Sequence, residues 1–146
     1  MHRFRLVLPI LACFGAACVP FPHDQREAPA MQGVLLVDGA PASGVLVRRA
    51  VNADRTEADC PAGSAETRTD AEGRFSFPST SYFSAFIVMG DRYDAWRVCF
   101  DKPDGKKAVW EGGGYWGGPP ILKLRCEMGA EDKPEAPICT ATEVRR

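Results

Sequence analysis

The sequence predicts an all-β protein, a sandwich of about seven to nine short strands. Three observations lead there. No window keeps a helical period over a useful length, whereas short runs alternate apolar and polar residues. Each run is bounded by Gly, Pro, Asn or Asp. Twelve prolines and fourteen glycines in 146 residues suit many turns and discourage long helices.

The runs follow in order. "MQGVLLV", residues 31–37, is β-rich and gives way to the turn-forming "DGAPASG". "VLVRRAV" places Val45, Val47 and Val51 on one face. The polar stretch 52–65 reads as a long loop. "ETRT" and "RFSF" flank "DAEG", which reads as a hairpin turn; Phe75 and Phe77 then share a face. "FSAFIVM" is almost continuously apolar, as a central strand would be. "AWRVCF" sets Trp96, Val98 and Phe100 opposite Arg97 and Cys99, and "AVWE" follows as a short strand. The glycine-rich "GGGYWGGPP" reads as a loop. "ILKLRCEM" is the clearest alternation, with Leu122, Leu124 and Cys126 on one side, and "ICTATEV" closes the domain.

The N-terminus differs in kind. "MHRFR" is basic, "LVLPILACFGA" is a short apolar run broken by Pro9, and small residues lead to Cys18. That is the composition of a secretory signal, and the run is short for a membrane-spanning helix. Gly15-Ala16-Ala17-Cys18 resembles the lipobox of bacterial lipoproteins. The resemblance implies cleavage after residue 17 and lipid, palmitate included, on Cys18; Cys13 would leave a shorter apolar core. Val19 after the cysteine implies, by the same resemblance, the outer membrane of a Gram-negative cell. The expected organisation is a signal peptide over 1–17, a lipidated proline-rich tether over 18–30 and a β-sandwich domain over 31–146. Loss of Arg3 and Arg5 with the signal lowers 18 Lys+Arg to 16, against 19 Asp+Glu, a balance of -3. Such a chain has no basic surface for nucleic acid.

Four cysteines remain for the domain: Cys60, Cys99, Cys126 and Cys139. An even set in an exported chain reads as disulfides. Three pairings are open to four cysteines; we carry forward Cys60–Cys99 and Cys126–Cys139. A zinc site would need close cysteine pairs, and no C-x-x-C occurs. No metal and no cofactor is expected.

"QGVLLVDGAPASGVLVRRA" followed by "TRTDAEGRFSF" resembles the carboxypeptidase regulatory-domain-like family. The resemblance is carried by Asp38-Gly39, Pro41, Gly44 and Val47, then by Thr69, Asp70, Gly73, Phe75 and Phe77, and it covers about residues 31–78. It implies a transthyretin-like (prealbumin-like) β-sandwich.

Site chemistry is sparse. Asp70 and Glu72 lack the oxygen count and spacing of a calcium loop. The histidines are His2, in the signal, and His23, in the expected tether, so an acyl-transfer triad has no base within 31–146. Asp91, Asp94, Asp101 and Asp104 cluster in sequence but fall in turn-like segments. Trp110, Tyr115 and Trp116 in "VWEGGGYWGG" have two readings. On a loop they offer stacking area to a glycan or a partner protein; folded back, they form an aromatic plug over the end of the sandwich, as could Tyr82 and Phe83. The expectation is therefore a non-catalytic envelope lipoprotein, a binding or structural module held to the membrane by its lipid. Its partner is an envelope protein or a carbohydrate such as peptidoglycan, met through Trp110, Tyr115 and Trp116.

Overall fold

A computed structural model describes residues 20–53, 59–86, 90–101, 105, 107–129 and 137–144. The expected signal segment, Cys13, Cys18 and Asp104 lie outside these residues. Eleven strands are present among those described: β1 Pro20–Ala28, β2 Ala30–Val37, β3 Ala40–Pro41, β4 Leu46–Val51, β5 Ala65–Arg68, β6 Arg74–Phe77, β7 Thr80–Phe86, β8 Tyr93–Asp101, β9 Lys107–Tyr115, β10 Ile121–Met128 and β11 Cys139–Val144. The all-β expectation holds. The count exceeds the expected range because β1 and the two-residue β3 had no alternating pattern to announce them.

Two sheets face each other. One runs β11-β10-β2-β3, with β6 also paired to β2; the other runs β5-β4-β8-β9. Alternation explains the core between them. Met31 and Leu35 of β2, Phe75 and Phe77 of β6, and Leu122, Leu124, Cys126 and Met128 of β10 point inward from the first sheet. Val47, Trp96, Val98, Phe100, Ala108 and Trp110 point inward from the second, and all belong to one buried cluster. Phe75 meets Phe100 across the sandwich edge-on, with ring centroids 5.6 Å apart. Gly33 lies between Phe75 and Leu124 in the ladder, and a Cβ there would sit 2.1 Å from the Phe75 ring. The absent side chain is the space the phenylalanine occupies.

Both expected disulfides are present. Cys126 and Cys139 are direct partners in the β10–β11 ladder and are joined. Cys60 is joined to Cys99 on the outward face of β8, which pins the segment before β5 against the second sheet. There Ala50, Cys60 and Cys99 form a second small apolar cluster.

The stretch expected to be a tether is ordered from Pro20. Pairing of Met31 with Phe77 and of Gly33 with Phe75 continues, past a break, into pairing of Ala28 with Thr80 and Gln25 with Tyr82. So β1 and β2 are one strand bent at Pro29, and β6 and β7 are its antiparallel neighbour bent at Pro78. Proline has no N–H, so the ladder opens at the bend. Arg49, buried on the inward side of β4, fills the opening: its Nη1 donates to the carbonyls of Pro29 (3.3 Å) and Pro78 (2.7 Å). Its guanidinium also lies 5.2 Å from the Phe77 ring centroid. Burial lowers the Arg49 pKa against the charged form, and Glu27 partly offsets this.

Three further expectations are corrected. β7 pairs with β1 alone and is no central strand; Tyr82 and Phe83 are exposed. The apolar run there continued into residues 87–89, which lie outside the described residues. The "DAEG" segment is no hairpin turn, because β5 and β6 belong to different sheets. It is the corner by which the chain crosses between them. Asp70 Oδ1 accepts from the amides of Glu72 (3.0 Å) and Arg74 (2.8 Å), and Gly73, at φ 73°, passes so close to β2 that a Cβ would sit 2.4 Å from the Leu35 carbonyl. Finally, "GGG" is strand: β9 runs to Tyr115 and pairs with β8 throughout.

Candidate functional site

That last correction separates the three aromatic candidates. Trp110 is buried in the core opposite Val98 and does not belong to a loop. Its ring lies over Gly112, where a Cβ would sit 2.4 Å from the indole. Tyr115 faces outward on the second sheet against Tyr93, ring centroids 5.3 Å apart. Trp116 turns the other way, toward the β1–β7 ribbon.

The turn that presents Trp116 is tightly built. Trp116, Gly117 and Gly118 all have positive φ (55°, 75° and 67°), and the Gly118 amide donates to the Tyr115 carbonyl at 3.0 Å. Glycine is required at 117 because a Cβ would meet the Arg26 carbonyl at 2.4 Å, and at 118 because it would meet the Trp96 indole at 2.3 Å. The turn is therefore wedged between β1 and the core.

Asp94 anchors the same region. It is almost wholly buried, and its Oδ1 accepts from Arg92 Nε (2.9 Å), Arg92 Nη2 (2.6 Å) and Asn52 Nδ2 (3.3 Å). Its Oδ2 accepts from the Gly117 amide at 3.0 Å. Every lone-pair direction of a buried carboxylate needs such a partner. Arg92, so oriented, spans to the ribbon: Nη2 donates to the Arg26 carbonyl at 3.3 Å, Nη1 donates to the Tyr82 hydroxyl, and the guanidinium lies 4.7 Å from the Tyr82 ring centroid. The Tyr82 hydroxyl donates onward to Gln25 Oε1 at 2.8 Å. Trp96 Nε1 holds the Glu27 carbonyl at 3.0 Å and Arg26 Nη1 holds the Gly118 carbonyl at 3.3 Å, which docks the ribbon to the end of the sandwich.

Between ribbon and turn lies a cleft of about 300 Å³, lined by His23, Gln25, Tyr82, Ser84, Asp91, Arg92 and Trp116. Tyr82 and Trp116 are 42% and 46% exposed, so each offers part of its ring while the rest is held. The two segments read separately as aromatic plugs meet here. Two other hollows are less apt. One of about 620 Å³ over Gln32, Val34 and Lys123 has no exposed aromatic in its wall. One of about 330 Å³ over Gly112 and Gly113 has Tyr93 as its exposed ring, with Arg97 Nη2 paired to Glu111 Oε1 at 2.6 Å.

Sequence reasoning missed His23, Gln25 and Arg92. The first two fall in the stretch expected to be a tether, and their ladder partners lie some sixty residues away. The Arg92-x-Asp94 spacing was a usable signal, since residues two apart in extended chain share a side. Among the described aspartates of this group, Asp94 and Asp101 are not brought together. Asp94 is engaged by Arg92, Asp101 accepts from Arg48 Nη2 at 2.7 Å, and seven residues of strand separate the two by roughly 23 Å. Asp70 and Glu72 both pair with Arg74. Asp59, Cys60 and Cys99 have ligand atoms within 4.8 Å of one another, but both sulfurs are in the disulfide and so are not thiolate ligands.

Comparison with known families matches residues 31–111 to a domain of unknown function (DUF6795). The chain belongs to that family. No curated protein and no solved structure matches it.

Proposed function

We propose that this protein is a non-catalytic binding module of the Gram-negative cell envelope, fixed to the outer membrane by lipid on Cys18, and that the Tyr82–Trp116 cleft binds carbohydrate. One observation carries the reading: two half-exposed aromatic rings line a preformed cleft, Tyr82 held by Arg92 and the Trp116 turn held by Asp94. Sugars offer an apolar ring face and a hydroxyl rim. Trp116 and Tyr82 suit the face; Gln25, Ser84 and Asp91 suit the rim. Peptidoglycan is the carbohydrate nearest an outer-membrane anchor. No metal or cofactor enters the proposal. The kinship with transthyretin-like regulatory domains is part of the same reading, and the Asp38-Gly39 and Asp70–Gly73 turns support it.

The test is titration of the purified chain with peptidoglycan fragments and neutral oligosaccharides, followed by tryptophan fluorescence and calorimetry. Saturable binding that Trp116→Ala removes is the expected result. Absence of any heat or emission change across the glycans overturns the carbohydrate assignment. Docking of an envelope protein is the second reading; the exposed Tyr93–Tyr115 pair on the second sheet favours it.

A further inference from the structure

We infer that the outward face of the β1–β7 ribbon lies against the bilayer, with Phe83 entering the lipid headgroup layer. The inference rests on the reading of Cys18 as the lipidated residue. Two observations about the ribbon lead to it.

The first is the length of chain left for a linker. Strand β1 begins at Pro20, already paired with Phe86. Only Val19 separates Cys18 from Pro20, and extended chain spans at most about 3.6 Å per residue step, so over two steps the lipid stands within roughly 7 Å of the ribbon's end. A flexible tether would have let the domain stand off the membrane. This one cannot.

The second is the ribbon's two unlike faces. His23 opposite Ser84 and Gln25 opposite Tyr82 make the wall of the cleft. The other face carries Pro22, Asp24, Ser81, Phe83 and Ala85, all exposed. Phe83, at 67%, is more exposed than any other large hydrophobic side chain described. It has no polar tip, unlike the exposed tyrosines and Trp116, so water is its poorest surrounding. Phe83 stands opposite Asp24, four residues of strand beyond Pro20, or about 13 Å along the ribbon. A ribbon lying along the interface therefore brings the lipid and Phe83 to the same plane. Arg26 is held by the Gly118 carbonyl, so this face offers the bilayer Asp24 and no described basic side chain; the attraction is apolar, and zwitterionic lipid suffices.

The test uses the lipidated full chain in phosphatidylethanolamine–phosphatidylcholine vesicles. In the Phe83→Trp variant, the added emission should shift to the blue and be lost when the acyl chains carry bromine, with no dependence on salt. A Ser76→Trp variant, on the outward face of the first sheet, should keep its emission. Ala85→Trp is the substitute if Phe83→Trp does not fold. Mass spectrometry of the same sample reports on Cys18. Lipid on Cys18 with unquenched emission overturns the bilayer contact and leaves the anchor standing. A chain without lipid on Cys18 overturns both.

Discussion

Arg92 and Asp94 stand two residues apart at the entry to β8, and Nε and Nη2 of the arginine converge on one oxygen of the aspartate at 2.9 and 2.6 Å. The second oxygen holds the Gly117 amide. One buried carboxylate thus fixes both walls of the cleft: the arginine that reaches Tyr82 and the turn that carries Trp116.

Replacing Asp94 by Ala should therefore cost both stability and binding. Removing one partner of a buried pair leaves the other uncompensated, typically by 3–5 kcal/mol; Arg92 retains some solvent, so a loss of about 3 kcal/mol is expected. Asp94→Asn keeps an oxygen acceptor and should lose less. Urea denaturation measures the first effect, and glycan titration the second. Wild-type stability in Asp94→Ala would show that the carboxylate does not hold the turn.

The two tryptophans of "VWEGGGYWGG" should separate cleanly. Trp116→Ala should leave the melting midpoint nearly unchanged, because the ring is half exposed, and should weaken ligand binding by about 2 kcal/mol or more, roughly thirty-fold. Trp110→Ala removes a core ring packed over Gly112 and should destabilise by about 3–5 kcal/mol. Calorimetric melting and binding titration on the same two variants give the comparison.

That division shows what was legible in the chain. Alternation reads well where one face is buried and the other wet, so β6, β8 and β10 and their inward residues were apparent. It fails where aromatic rings fold over their own backbone. In β9, Gly112 supplies no side chain to the pattern because the Trp110 ring fills its place. It fails also at Pro20–Ala28, where proline and charge conceal a strand that pairs by continuing its neighbour's register. The cleft was half visible: its aromatics stood out, but the ladder that brings Tyr82 to Gln25 joins residues too distant for local pattern to connect.

The disulfides should contribute unequally. Loop-entropy arguments assign about 4 kcal/mol to Cys60–Cys99, which closes 39 residues, and about 3 kcal/mol to Cys126–Cys139, which closes 13. Paired serine variants, compared by urea denaturation, test the order. The Cys60–Cys99 pair should also release Asp59, whose carboxylate joins Arg48 and Lys107 across the outward face of the second sheet. Thiol-free variants of equal stability would contradict the entropic account.

Two depressed carboxylates set the acid limit. At Asp59, burial raises the pKa, but hydrogen bonds from Lys107 and the Cys60 amide, with the charges of Arg48 and Lys107, outweigh it and hold the group below the ordinary value. At Asp70 the Arg74 amide contributes most, opposed by slight burial and reinforced by the Arg74 guanidinium and the Glu72 amide. A carboxyl more acidic in the folded than in the unfolded state contributes its full stability above the unfolded pKa, about 3.9 for Asp, and loses it as pH falls through the folded value. The protein should thus be insensitive to pH near neutrality and lose melting temperature below about pH 4. Asp59→Asn and Asp70→Asn should each flatten that acid limb while lowering the plateau. Salt should weaken the Asp59 effect more, since two cations, Arg48 and Lys107, act on it through charge, whereas the largest contribution at Asp70 is the Arg74 amide and one cation acts there. Thermal melts across the acid range with and without salt decide it, and an acid limb unchanged in both variants would refute the assignment.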